Sequence, residues 1–377
     1  MLVFHVAFVE TSEIDYTPNS LYTSPLPVAQ RNTLYLATAL STRGHQVTIF
    51  QAACDNKTTY GNLTIAPLAH LKGQETRFNT LVYVDNVGEI AQLPPIEEQD
   101  FSTILWSFQA PQHLSLLPFK SKDLHDQVEL VLFANPVHRQ PFSNLYEFPL
   151  ERSGYFPVAM TRTLRKRFKN TLDFKSTRPA ELTLSFIQRP EQGLQETLDI
   201  FETLQQGFKG LQLQVLLPCD ERPWSDAEES LIERCKTDPN IRVYRPQNRP
   251  AYVEQLMQSH VLCAPAMARD PNNYGLIDAL AAGCHCIVFE DPGIATLGKE
   301  GLDWVETLPE DSQWVRYTSA LAKRLREWDE DPEAMVQDRF RAVAHMGTYF
   351  TWDLRVWEFE SLLFQLRKNK ARCKAKS

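Results

Sequence analysis

The sequence predicts an α/β protein with two domains, each built on a mainly parallel sheet. Short apolar runs alternate with amphipathic stretches along the chain, and this alternation is typical of parallel strands joined by helices. The length of 377 residues suits two domains of roughly 100–200 residues each. A polar connector at residues 170–181 interrupts the alternation, which then restarts. We therefore expect one domain on each side of this connector.

The first domain is predicted to begin with a strand at residues 3–9. The apolar start of the chain soon reaches Glu10 and lacks both a basic leader and a small-residue cleavage site, so it does not resemble a signal peptide. A helix over 27–43 is expected to stop at Gly44. Further strands are predicted at residues 46–50, 80–84, 102–108 and 128–134.

The second domain is predicted from the same alternation after the connector. Its strands are expected at residues 182–187, 211–218, 241–246, 261–266 and 284–289. Its helices are expected at residues 194–206, 225–236, 250–258 and 275–282. A last amphipathic helix is predicted over 352–370.

The charge balance argues against a nucleic-acid partner. The chain has 39 Lys and Arg against 47 Asp and Glu, a formal net charge of −8, whereas nucleic-acid binders are usually basic. The cations concentrate in two acid-free stretches, 162–169 and 367–377. The first has the spacing of a cationic helix face, and the second is expected to be a disordered tail. Either stretch could contact an anionic membrane surface or a phosphorylated acceptor; the alternatives are a solvated helix and a solubilising end.

Cysteine use and hydropathy indicate a cytoplasmic protein. The seven cysteines are scattered without a disulfide-like rhythm, which favours free thiols in a reducing compartment. No apolar run approaches the roughly 18 residues of a membrane span. Cys284-His285-Cys286 has poor zinc spacing, and the acids at 329–331 lie in a polar run predicted to be exposed. We expect no metal and no bound cofactor.

The segment 268–293 carries the strongest signal for a ligand site. A predicted strand is followed by a loop with Asp270, a short helix from about Gly275 that carries Asp278, and Gly283 at the helix end. Ligands of open α/β sheets collect at the carboxyl ends of strands, where helix amides favour phosphate and carboxylates suit sugar hydroxyls. The alternative is that Asp278 is an ordinary first-turn acid and Asp270 a loop acid.

This segment resembles the donor-site signature of family 4 glycosyltransferases, which are retaining enzymes of GT-B architecture. That signature is Glu, seven residues, Glu, with the second acid opening an E-A-hydrophobic-A-x-G run; here it is Asp270, seven residues, then Asp278 opening Asp-Ala-Leu-Ala-Ala-Gly. The resemblance implies that Asp270 contacts the donor sugar and Asp278 the ribose. It also implies that the backbone near Tyr274, Gly275 and Leu276 holds the diphosphate. Both acids are shortened to Asp.

The resemblance extends to 31–50, 184–201 and 350–363. In the second of these stretches the family has an Arg and a Lys-Gly pair that grip the diphosphate. Arg189 matches the Arg, whereas Gln192 replaces the Lys before Gly193.

The resemblance implies two Rossmann-like domains facing across a cleft. Residues 1–172 would form the acceptor-side domain, completed by a C-terminal helix in 350–377, and residues 180–349 would form the donor domain.

The first domain departs from the family in two places. The loop 10–30 has no glycine where the family often has two, and Gln109 and Asn135 stand near the position of a family histidine. His138 lies near these positions and is the one histidine that we name as a candidate catalytic residue, although a lone histidine is more often structural.

The predicted function is transfer of a sugar from a nucleotide-diphosphate sugar to an acceptor hydroxyl with retention of configuration. The enzyme would be hexosyltransferase-like and act in carbohydrate biosynthesis, with a glycan, lipid or small molecule as acceptor. Two alternatives remain: a sugar-nucleotide epimerase or phosphorylase on the same architecture, and a degenerate GT-B protein that acts as a binding or scaffold subunit.

Overall fold

The chain forms two compact units. A computed structural model describes residues 2–165, 167–218, 224–265, 274–298, 301–306 and 310–374. The first unit comprises Met1–Leu21, Pro27–Val158 and Trp352–Ser377, and the second comprises Tyr22–Leu26 and Ala159–Thr351.

The first unit is built on an eight-stranded sheet. Its strand order is β3-β4-β2-β1-β5-β6-β7-β8, with β3 antiparallel to β4 and all other neighbours parallel. The strands are β1 (His5–Glu10), β2 (Gln46–Gln51), β3 (Thr58–Tyr60), β4 (Leu63–Pro67), β5 (Thr80–Val84), β6 (Ser102–Ser107), β7 (Leu130–Phe133) and β8 (Ser153–Tyr155). The first five α-helices of the chain are α1 (Ser20–Thr23), α2 (Val28–Thr42), α3 (Lys122–His125), α4 (Arg139–Tyr146) and α5 (Thr171–Lys175). Of these, α5 belongs to the second unit.

The second unit is built on a six-stranded parallel sheet. Its order is β11-β10-β9-β12-β13-β14. The strands are β9 (Thr183–Phe186), β10 (Gln212–Leu216), β11 (Ile241–Tyr244), β12 (Val261–Cys263), β13 (His285–Phe289) and β14 (Leu302–Val305). The remaining helices of the chain are α6 (Leu194–Gln205), α7 (Asp226–Thr237), α8 (Arg249–Leu256), α9 (Tyr274–Ala281), α10 (Pro292–Ala295), α11 (Glu310–Glu330), α12 (Pro332–Tyr349) and α13 (Trp352–Lys374). Of these, α13 belongs to the first unit.

The central strands are buried on both faces, as parallel strands covered by helices should be. In β1, five of the six residues are buried, and β5 and β6 are buried throughout. Each of the two units has its own apolar core. A cluster in the first unit contains Phe119, Phe133 and Phe142, and a cluster in the second unit contains Leu184 and Phe201. These features confirm the predicted α/β class with parallel sheets.

The last helix, α13, packs against α2 of the first unit. Glu360 receives two hydrogen bonds from Arg43, at 2.5 and 2.7 Å, and its Oε1 lies 2.8 Å from His45 Nε2. The ring of Tyr35 stacks on Trp352 with centroids 5.3 Å apart. Burial opposes ionisation of Glu360, but the hydrogen bonds from Arg43 and His45 outweigh it and lower its pKa. His45 therefore helps to hold Glu360 of α13 in place.

Two predictions for the basic stretches are wrong. The described residues of 162–169 form successive turns instead of a helix. Only Leu164 is buried among them, and clustered cations repel each other along a helix face. The tail is not disordered up to Lys374, because α13 continues to that residue. Lys370 Nζ donates to the carbonyl oxygens of Gln99 and Phe101, which fixes this end of the helix.

Several elements were missing from the sequence prediction. The hairpin β3–β4, the strand β14 and the helices α11 and α12 had no assigned counterpart. The acids at 329–331 are exposed as predicted, and Asp331 caps α12 by accepting from the Ala334 amide at 3.0 Å.

Candidate functional site

The second sheet has one point at which its connections change direction. β9 lies beside both β10 and β12, so the chain leaves β9 toward one edge and later returns to the other side. In open α/β sheets this switch point, at the carboxyl ends of the strands, is where ligands bind. The segment after β9 carries Arg189, and the segment after β12 leads to the start of α9. Residues 266–273, which include Asp270, lie outside the described part of the chain.

Arg189 is held by two carboxylates at this edge. Its Nε donates to Glu191 Oε1 at 3.1 Å, and its Nη2 donates to Glu228 Oε1 at 3.1 Å. Its guanidinium also lies 5.3 Å from the centroid of the Trp224 ring. The cation predicted to bind a diphosphate therefore has its charge balanced by protein acids in this structure.

Glu228 is held by more hydrogen bonds than its part in the Arg189 contact alone, because its side chain also caps the N-terminus of α7. It accepts a hydrogen bond from the Ser225 amide at 2.8 Å, and the Ser225 hydroxyl accepts from the Glu228 amide in return. This reciprocal capping box satisfies two helix-end donors. Hydrogen bonding with Glu191, Ser225 and Arg189 lowers the pKa of Glu228 to about 2. Glu228 is therefore ionised at neutral pH.

The turn from Arg189 to Gly193 is closed by a side-chain hydrogen bond and ends in a left-handed glycine. Gln192 Oε1 accepts from the Arg189 amide at 3.2 Å, which closes the turn. Gly193 has φ of +106°, a left-handed conformation that favours glycine, and it precedes the first residue of α6. The residue that replaces the family's Lys thus closes the loop through its side chain.

The start of α9 packs tightly on the end of β9. A Cβ at Gly275 would lie 2.9 Å from Ile187 Cδ1, so glycine lets the helix approach the strand closely. Tyr274 is buried, and its hydroxyl lies 3.0 Å from Thr161 Oγ1. Leu276 is also buried. At the other end, Gly283 has φ of +79°, which confirms the predicted left-handed cap.

Asp278 lies in the fifth position of α9, so it is not a first-turn acid. Its side chain is fully buried. The carboxylate accepts from the Thr161 amide at 2.7 Å and from the Thr161 hydroxyl at 2.8 Å, and it forms an ion pair with Arg249. The Arg249 guanidinium in turn lies 4.0 Å from the centroid of the Tyr252 ring. These contacts join α9, α8 and the segment at Thr161, and contact of Asp278 with a ribose stays a prediction.

His138 belongs to the first unit and is described on its own. It ends a short 3₁₀ turn, Pro136–His138, after β7, and its ring meets Phe133 edge-on at 6.4 Å between centroids. The buried Asn135 caps this turn by accepting from the Val137 amide at 3.1 Å. His138 thus lies in a turn that follows a strand of the first sheet, and a catalytic role for it stays a prediction.

The described residues contain no group of three or more His, Cys, Asp or Glu side chains placed to hold a metal ion. Cys284 Sγ donates to the Leu256 carbonyl and Cys286 Sγ to the Cys284 carbonyl, while His285 pairs with Asp303. Five described cysteines are free, as predicted, and all five are buried. Among the described helices, none combines the length and apolarity needed to cross a membrane.

Two functional candidates were missed in the sequence although a local signal existed. Ser225 and Glu228 have the S-x-x-E spacing of a capping box, which places Glu228 at a helix start beside a strand end. Asn248 followed by Arg249 and Pro250 has the pattern of a capped helix start, which places Arg249 just after β11. Their pairing with Arg189 and Asp278 had no signal in the sequence, because each pair is brought together by the fold.

Comparison with known proteins identifies the fold. No family model and no curated protein sequence matches the chain. Among solved structures, it is similar to sucrose-phosphate synthase from Thermosynechococcus elongatus, with a TM-score of 0.67 and 13% identity over 96% of this chain and 99% of that one. It is also similar to the catalytic domain of starch synthase IV from Arabidopsis thaliana bound to ADP and acarbose, with a TM-score of 0.67 and 11% identity over 97% and 100%.

A third similar structure is HepE from Anabaena in complex with UDP and glucose, with a TM-score of 0.63 and 13% identity over 96% of this chain and 100% of that one. These neighbours are GT-B glycosyltransferases. The chain therefore has the GT-B fold, with two Rossmann-like domains.

Proposed function

We propose that the protein is a glycosyltransferase that moves a sugar from a nucleotide-diphosphate sugar to an acceptor hydroxyl, with retention of configuration. The observation that supports the proposal is Arg189, which follows β9 at the switch point of the second parallel sheet. The three similar structures cover 96–97% of this chain, and two of them are complexes with ADP or UDP. The proposed enzyme is hexosyltransferase-like and needs no metal or bound cofactor.

The proposed chemistry stabilises the leaving diphosphate. As the bond between the sugar and the phosphate breaks, negative charge grows on the leaving phosphate oxygen. Arg189 and the backbone at Tyr274, Gly275 and Leu276 would bind this charge, with Gly193 giving the diphosphate close access to the backbone. Asp270 would contact the donor sugar, Asp278 the ribose, and His138 the reacting groups from the acceptor side.

Arg189→Ala tests the proposed phosphate contact. UDP-glucose and ADP-glucose serve as donors, with release of UDP or ADP and transfer to a panel of sugar, lipid and small-molecule acceptors as readouts. Loss of one preorganised charge contact should lower the rate by about 10²-fold. Activity within about twofold of the wild type would contradict this role. The anomeric configuration of the product, determined by NMR, tests retention.

A double variant tests the same contact by an expected gain in UDP binding instead of a loss of activity. Glu191→Gln with Glu228→Gln removes both charges from Arg189, and the glutamine that replaces Glu228 can still complete the capping box. If Arg189 binds the diphosphate, UDP should bind about fivefold more tightly, because no carboxylate competes for the guanidinium. Glu229→Gln with Glu254→Gln is the matched control, since both side chains are exposed. Unchanged or weaker UDP binding in the first pair would argue against the contact.

The same geometry favours one alternative, a degenerate GT-B protein that serves as a binding or scaffold subunit. Arg189 is neutralised by two glutamates, and Asp278 already accepts hydrogen bonds from Thr161. Calorimetric titration with UDP and ADP separates the two functions. Binding together with turnover supports the transferase, and absence of binding at millimolar nucleotide supports the scaffold.

We also propose contact with an anionic membrane surface through the basic stretches 162–169 and 367–377. Arg367, Lys368 and Arg372 are exposed on α13, and Arg165 and Arg167 are exposed in the turns. Each cation near an anionic surface contributes about 1 kcal/mol. Co-sedimentation with phosphatidylserine vesicles should therefore be stronger than with phosphatidylcholine vesicles and should weaken with salt; equal sedimentation with both would refute the contact.

A further inference from the structure

The second unit has an open groove between α6 and α11. Its volume is about 840 Å³. The apolar side chains that line it are Ile200, Leu204, Phe208, Trp314, Val315 and Ala322. Val315 is 67% exposed, although its side chain is fully apolar. We call this surface the α6–α11 groove; contiguous exposed apolar surface of this kind marks a place where another molecule binds.

The groove is separate from the face of α11 that packs on the sheet. The buried residues of that face are Tyr317, Leu321, Leu325 and Trp328. Val315 lies two positions before Tyr317, about 200° away around the helix axis. Val315 and Ala322 are seven positions apart and therefore lie on one side of the helix. The helix α11 thus has a second apolar surface besides the one that the core uses.

One end of the groove is acidic. The charged side chains that line the groove are Glu196, Asp199, Arg326 and Asp329. Glu196 lies in the first turn of α6, one turn before Asp199. Arg234 Nη2 lies 3.2 Å from Asp199 Oδ1 and 2.6 Å from Glu202 Oε1, so one cation serves two acids. The start of α6 therefore keeps a net negative charge.

The helix α13 of the first unit has an exposed face of the complementary kind. Its members are Trp357, Ser361, Phe364, Lys368 and Arg372. They recur every three or four positions, which places them on one side of the helix, and none of them is acidic. Trp357 is 62% exposed and Phe364 is 47% exposed. This surface, the α13 stripe, has aromatic rings at one end and two cations at the other.

The groove and the stripe also have the same length. On α11 the groove extends from Trp314 to Asp329, and on α13 the stripe extends from Trp357 to Arg372. Both ranges lie within one continuous helix and span 15 positions, which corresponds to about 22 Å. An amphipathic helix that lays its apolar side chains into a groove is a common mode of protein recognition.

We propose that the α13 stripe of one copy of the protein binds in the α6–α11 groove of a second copy. The two aromatic rings of the stripe pack on the apolar lining of the groove. The two cations of the stripe face Glu196 and Asp199, which sets the direction in which the helix lies. Because the contact joins two different surfaces, it produces either a closed ring of copies or an open chain of copies. It requires neither a nucleotide nor an acceptor.

Sedimentation equilibrium of the full chain tests this self-association. The mass of the wild type should rise above that of the monomer between about 1 μM and 1 mM. Trp357→Ala should weaken the association by at least about tenfold, because a buried tryptophan contributes strongly to an interface. Leu114→Ala is the matched control, since Leu114 is 77% exposed and lies outside both surfaces. A wild type that stays monomeric, or equal association by Trp357→Ala and wild type, would overturn the proposal.

A mixture of two variants tests which surfaces meet. Val315→Glu disrupts the groove and leaves the stripe intact, whereas Trp357→Glu disrupts the stripe and leaves the groove intact. Neither variant should associate with itself, but an equimolar mixture should form pairs, because each pair contains one intact groove and one intact stripe. A monomeric mixture would contradict the contact of groove with stripe, as would self-association of either variant alone.

Charge reversal tests the proposed direction of the helix. Lys368→Glu with Arg372→Glu should weaken self-association by at least about tenfold, as should Glu196→Lys with Asp199→Lys. A chain with all four changes should regain it, because both sides of the contact are then reversed. Failure of this chain to regain association would refute the pairing. The measurements are made without lipid, because Lys368 and Arg372 also belong to the basic stretch proposed for membrane contact.

Discussion

Replacement of Arg249 by leucine should destabilise the second unit severely. Asp278 has no exposed surface, and Arg249 is the cation that pairs with it. Leucine would remove the guanidinium and its contact with the Tyr252 ring, and it would leave the carboxylate buried without a counter-charge. The two hydrogen bonds from Thr161 would remain. The variant thus removes the ion pair together with the 2.9 Å hydrogen bond that Arg249 Nε donates to Thr161 Oγ1.

The expected loss is about 3–5 kcal/mol, the usual cost when one partner of a buried ion pair is removed. In a unit of this size each kcal/mol lowers the melting temperature by roughly 2–4 °C, so a decrease of about 10 °C is expected. Adding Asp278→Asn should restore at least half of the loss, because the buried group is then neutral and can still accept from Thr161.

Calorimetry and urea unfolding measure the effect on the transition of the second unit. Arg245→Leu is the control, since Arg245 is exposed and stacks on Trp224 at 5.1 Å without a buried acid. It should cost no more than about 1 kcal/mol. The reasoning is refuted if Arg249→Leu is no worse than Arg245→Leu, or if adding Asp278→Asn deepens the loss.

Three further predictions concern stability. Gly283→Ala should cost about 2–5 kcal/mol in urea unfolding, because its Cβ would overlap the Phe174 ring in a left-handed conformation; Gly210→Ala, with φ of +79° and open space, should cost only about 1–2 kcal/mol. Glu360→Gln should make the stability of the first unit fall less steeply as the pH is lowered. A carboxyl group whose pKa is lower in the folded than in the unfolded protein stabilises the fold above its unfolded pKa, and this contribution is lost as the pH falls. Burial lowers the pKa of His260 from 6.5 to about 3. The contribution of the neutral His260 to the stability of the fold is therefore complete above pH 6.5 and declines as the pH falls. His260→Gln should reduce the loss of stability below pH 6.5. An unchanged slope of stability against pH would contradict this.

The sequence predicted the strands well because parallel strands buried on both faces leave continuous apolar runs. The runs that became β1, β5 and β6 are of this kind. Elements at the edge were harder to predict: β3 is fully exposed and has no apolar signature. The turns at 162–165 failed as a predicted helix because spacing of cations alone does not supply a buried face.

The position of the candidate site could be predicted from the sequence, but the contacts between its residues could not. Arg189 and Asp278 were identified from local motifs, whereas their partners Glu228 and Arg249 lie 39 and 29 positions away in sequence. Pattern reasoning sees neighbours within one element, and ion pairs between elements arise only when strands and helices are assembled.

The place of α13 has a consequence for synthesis of the chain on the ribosome. Its contact with α2 joins Arg43 to Glu360, residues 317 positions apart. The whole of residues 159–351 must therefore be made before the first unit can complete its packing, so we expect the second unit to mature first. Until then the surface of α2 that receives α13 stays open to chaperones or to other chains.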